Sequence, residues 1–77
     1  MKATLKFNLN DPEDRMEHLR AVKSTDLCLV LLDIDNHLRG IIKHGQDEKE
    51  ADVCQDVRGN LYMFMETRGV ILDELIN

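Results

Sequence analysis

The chain carries few of the groups from which active sites are built. Ser24 is the only serine among 77 residues and has no evident histidine partner. No glycine-rich loop precedes a helix, so the usual phosphate cradles are missing. The two cysteines, Cys28 and Cys54, lie inside apolar patterns, away from the electropositive, exposed settings that make a thiol reactive. They read as reduced core residues of a cytosolic protein rather than as a disulfide. No apolar run reaches the ~18 residues of a membrane span. Met1-Lys2 leads into an alternating segment instead of a signal-peptide core, so the expected location is the cytoplasm and no membrane partner is expected. Basic charge is also short: 10 Lys and Arg stand against 15 Asp and Glu, a net charge of −5. That balance argues against a protein built mainly to hold duplex nucleic acid.

Metal and acid–base chemistry are excluded by spacing. Asp33 and His37 are four apart on a helix pattern, but two ligands do not make a site, and structural zinc normally takes four. Asp33-Ile34-Asp35 places its two carboxylates about 200° apart around a helix, so they cannot act as a pair. No cofactor is expected, and the chain reads as a non-enzyme.

What is present is an organised pattern of apolar residues. Ala3, Leu5, Phe7 and Leu9 alternate with Thr4, Lys6 and Asn8, the period of a half-buried strand. Asp11 then suits an N-cap, Pro12 the first helical position, and Glu13 and Asp14 the positive end of a helix dipole. Met16, Leu19 and Val22 form the expected buried stripe of this first helix. Lys23-Ser24-Thr25-Asp26 reads as a break and a restart; the alternative is one kinked helix from Pro12 to His44. The central helix, Thr25 to His44, organises the chain. Its first half, Leu27 to Leu32, is apolar on nearly every side and is expected to be buried on more than one. Gly45 ends it, and a third helix runs from about Asp47 to Arg68 with Cys54, Val57, Leu61, Phe64 and Met65 in one stripe. Gly69 stops that helix, and the tail from Val70 to Ile76 is a candidate second strand. The expected class is therefore α+β: a single domain of three helices with an N-terminal strand and a short C-terminal strand or extended tail.

The faces of the central helix hold the functional candidates. Its core stripe is Leu27, Leu31, Ile34, Leu38 and Ile42, and Asp35 falls inside it. A carboxylate there needs a partner. Arg39, four residues on, is the expected one, unless Asp35 faces a pocket and meets a ligand. The opposite face carries Leu29, Asp33, Asn36, His37, Gly40, Lys43 and His44. Gly40 in mid-helix is either neutral or marks close approach of a second backbone or a ligand. Asn36, His37, Arg39, Lys43 and His44 are candidate donors to an anion, with Tyr62 placed to stack; Leu29, Gly40 and Met63 are candidate interface positions. The acidic run Asp47, Glu48, Glu50, Asp52 and Asp56 reads as a solvated helix start, with mimicry of a nucleic-acid backbone or a docking surface as the alternatives. A chain this short is marginal alone, so a homo-oligomer is expected.

Phe7-Asn8-Leu9 with Pro12-Glu13-Asp14-Arg15, Ala21-Val22-Lys23, Leu32-Asp33-Ile34-Asp35-Asn36-His37-Leu38-Arg39 and Val57-Arg58-Gly59-Asn60-Leu61-Tyr62 resemble the motifs of a group of small proteins encoded by tailed phages and prophages. That group has an FNLPEDR-like start, a D-x-D-N/Q-x-LR helix and a VRxxLY helix. Here Asn10-Asp11 separate Leu9 from Pro12, and Leu29 to Leu32 stand where the group carries aromatics. The resemblance implies a phage accessory protein working in the host cell by binding rather than catalysis. The expected function is to counter host anti-phage defence by sequestering an anionic nucleotide signal; the alternative is an inhibitor that docks directly on a host protein.

Overall fold

The computed structural model describes residues 1–76, and it is all-α: Pro12–His44 forms α1, Glu48–Thr67 forms α2 and Leu72–Ile76 forms α3, with no strand among the described residues. The α+β expectation is overturned at both ends. The alternating segment Ala3–Leu9 has no neighbouring strand to pair with, and an unpaired strand has no ladder to hold it. It lies instead as irregular chain against the start of α1. Phe7 meets His18 edge-on at 5.6 Å, and the Asn8 amide donates to Asp14 Oδ2 at 2.9 Å. The tail Val70–Ile76, expected as the second strand, turns into α3, which packs on α1 through buried Leu72.

The second correction is the length of α1. It runs unbroken for 33 residues, about 50 Å. Ser24, read as part of a break, folds its hydroxyl back to donate to the Ala21 carbonyl at 2.8 Å, which satisfies it without ending the helix. Lys23-Ser24-Thr25-Asp26 contains no glycine or proline, and its residues cost only a few tenths of a kcal/mol each in a helix.

The ends of the long helices follow the sequence. The Asp11 side chain accepts from the Glu13 amide at 3.0 Å with Pro12 at the first turn, and Asp47 accepts from the Lys49 amide at 2.9 Å at the start of α2. Gly45 is needed for closeness, not handedness. Its φ is −67°, but a Cβ there would stand 2.4 Å from the Ile41 carbonyl oxygen. Gly69, at φ 70°, is the left-handed residue that lets the chain turn from α2 into α3.

α2, about 30 Å long, folds back along the C-terminal part of α1 as an antiparallel hairpin. The buried apolar core is small: Leu38, Cys54, Met65 and Leu72. The expected stripe Met16, Leu19 and Val22 is exposed, because α1 overhangs α2 there. Leu27, Leu29 and Val30 of the apolar half are exposed too, as are Val57 and Phe64 of the α2 stripe. Both cysteines are free thiols, Cys54 buried and Cys28 half-buried.

Candidate functional site

One polar cluster joins the two long helices. Asp35 is 3% exposed and is the buried charged residue of the core. Its partner is not Arg39. Arg58 Nε donates to Asp35 Oδ1 at 2.6 Å, and the Tyr62 hydroxyl donates to Asp35 Oδ2 at 3.1 Å. The Arg58 guanidinium also sits over the Tyr62 ring, 5.1 Å from its centroid. Both carboxylate oxygens are therefore engaged, one by a charge-assisted bond. The bond to Asp35 raises the Arg58 pKa above its already high ordinary value, so the guanidinium stays charged. The cluster is a latch between the helices: its carboxylate is buried, and every buried side-chain polar atom among the described residues has a partner.

Helix geometry explains why Arg58 wins. Arg39 is about 40° further around α1 than Asp35, on the solvent side, and is exposed. Arg58 lies among Cys54, Leu61 and Met65, within the α2 stripe that faces α1. A charged residue inside the apolar stripe of each of two helices is the signal that the two meet. Arg58 was legible on that ground, and so was its i,i+4 neighbour Tyr62.

The expected ligand residues divide. Asn36, His37, Arg39, Lys43 and His44 are all exposed on α1, outside its contact with α2. Asn36, Arg39 and Lys43 share one flank by helical spacing, whereas His37 and His44 lie on the other side of Gly40. Tyr62 is engaged with Asp35 and does not join the histidines. Neither of two surface concavities among the described residues is lined by the five α1 residues. One of about 300 Å³ lies between the end of α2 and α3, lined by Tyr62, Met65, Gly69, Val70 and Leu72 among others; the second lies at Pro12, Met16 and Leu19. Leu29 and Met63 are exposed. At Gly40 a Cβ would meet nothing within 4 Å, so close approach is not a feature of the single chain.

Gly40→Ala is therefore expected to stabilise the protein by about 0.5–1 kcal/mol, read as a rise of several degrees in melting temperature. A fall would mean that something packs against that position.

No family model, curated protein or solved structure matches the chain. Among the described residues no three metal-ligating side chains converge, and no helix is long and apolar enough to cross a membrane. Fold and site together define a small helical hairpin held by an ionic latch.

Proposed function

We propose that this chain is a non-enzymatic, phage-encoded binding protein that counters host anti-phage defence in the host cytoplasm by docking on a host protein. The observation that carries this reading is the outer face of α2. Met63 is half exposed there. By helical spacing, Asp52, Asp56 and Glu66 share that face, and none of the three makes a side-chain hydrogen bond or ion pair among the described residues. Asp47 and the first-turn residues Glu48 and Glu50 have a structural role at the helix start instead. An apolar anchor ringed by unneutralised carboxylates fits a partner surface with a pocket set among basic residues. The charge would steer the encounter, and the anchor would supply affinity.

The nucleotide reading is kept alive by a different observation. With Asp35 taken by α2, Arg39 and Lys43 form no ion pair among the described residues, so an anion beside them would relieve their mutual repulsion. Against it stands the convex, open setting of these residues, since small-molecule sites are concave.

The test uses Met63→Asp combined with Asp56→Lys. Both positions are exposed, so the melting temperature is expected to change little. The affinity for a host protein captured by the wild-type chain is expected to fall at least a hundredfold. Equal capture by wild type and variant would remove α2 from the account. A rise in melting temperature with a nucleotide, lost in Arg39→Gln/Lys43→Gln, would replace docking by sequestration.

A further inference from the structure

The hairpin leaves a large apolar surface on one side. With Leu31 as the origin on α1, Asp35 lies at about +40°; with Cys54 as the origin on α2, Arg58 and Tyr62 lie at about +40° and +80°. These three residues touch, so the positive flanks of the two helices lie on the same side of the hairpin. The negative flanks must then share the other side. On α1 that flank holds Leu27, Val30, Ile34 and Ile41, at about −40° to −100°; on α2 it holds Val53, Val57 and Phe64, at about −60° to −100°. Val53 and Phe64 are each 61% exposed, and Leu27, Val30, Ile34 and Val57 are exposed as well. The α1 positions 27, 30, 34 and 41 follow the three-and-four spacing of a helix-packing seam. Met16 and Leu19 extend it along the overhang.

The size of this surface says what covers it. The chain exposes 6864 Å², about 2,000 Å² more than a compact protein of 8.9 kDa. Its radius of gyration is 17.0 Å, against about 11.5 Å for a compact domain of this length. The excess per protomer is in the range that permanent homodimers bury. We infer that a second copy of this chain packs on the joint α1–α2 face to give a two-fold symmetric four-helix bundle.

Charge selects the orientation. Lys23 lies inside the seam on the overhang, at about −80°, Glu50 borders it at the start of α2, at about −40°, and Arg20 is neutralised by Glu17 at 3.0 Å. A parallel pairing sets the two Lys23 ammonium groups against each other across the two-fold axis. An antiparallel pairing lays the base of each overhang across the hairpin end of the other copy, where Lys23 meets Glu50 and, one and two turns further on, Leu27 and Val30 reach Val53 and Val57. The assembly is therefore antiparallel, and it leaves the latch and the outer face of α2 uncovered.

Sedimentation equilibrium at micromolar concentration tests this. The wild type is expected to run as twice the 8.9 kDa protomer, with a melting temperature that rises with concentration. Val57→Glu, on the shared face but outside the intrachain latch, is expected to weaken association at least a hundredfold. Lys23→Glu and Glu50→Lys are each expected to weaken it about tenfold, and the two combined to restore it. A folded, helical monomer at micromolar concentration overturns the dimer. A dimer indifferent to Val57→Glu overturns the face, and charge reversals that fail to rescue one another overturn the antiparallel orientation.

Discussion

Asp35→Ala lowers the melting temperature by about 10–20 °C, the largest effect expected of any single side-chain truncation in this chain. The substitution strips Arg58 and Tyr62 of their shared acceptor at a site from which water is largely excluded. Breaking a fully buried pair costs 3–5 kcal/mol, but the Arg58 side chain is 33% exposed and its freed charge can be rehydrated in part, so about 2–3 kcal/mol is expected. The companion variants separate the causes. Tyr62→Phe removes one neutral donor and should cost about 1 kcal/mol. Asp35→Asn retains an acceptor and should fall between. Arg39→Ala should be within about 0.5 kcal/mol of wild type, because Arg39 is exposed and forms no ion pair among the described residues. Thermal denaturation of the four variants side by side decides whether the carboxylate is held from α2 or from its own helix.

Asp26→Pro is the second large effect, and it separates one helix from two. If a helix restarted at Thr25, proline at position 26 would occupy the first helical turn, where its missing amide and fixed φ are tolerated. In the continuous α1, position 26 is mid-helix and exposed. Proline there removes the hydrogen bond to the Val22 carbonyl and crowds that turn, at a cost of about 3 kcal/mol or more. The expected outcome is a loss of both helicity and melting temperature, read by circular dichroism. An unperturbed variant would restore the break.

Much of the helical frame was legible because local chemistry decides it. Asp11-Pro12 and Asp47 start their helices as caps, and Gly45 and Gly69 end them. Two things were not legible for the same physical reason: they depend on partners distant in sequence. The alternation at Ala3–Leu9 is the pattern of a strand, but a strand exists only if another lies beside it, and the tail turns helical. The apolar stripes at Met16–Val22 and Leu27–Val30 are patterns of burial, and within the single chain they find nothing to bury against. Arg58 was missed in favour of Arg39 for a different reason, since its place inside the α2 stripe marked it. Spacing along one helix offers i,i+4 partners, whereas the observed pair is 23 residues apart. Asn36, His37, Lys43 and His44 on the face around Gly40 are exposed, but exposure alone does not build a site, and Tyr62 belongs to the latch.

The latch fixes the rotation of α2 about its own axis, and so decides which residues face outward and which join the apolar seam. A double-mutant cycle on Asp35→Ala and Arg58→Ala, with stability measured by urea denaturation, tests that claim most directly. If the two side chains hold each other, the double variant loses well under the sum of the single losses, with a coupling of about 1.5 kcal/mol or more. Additive losses would mean that Asp35 and Arg58 act independently and that α2 is not held in this rotation.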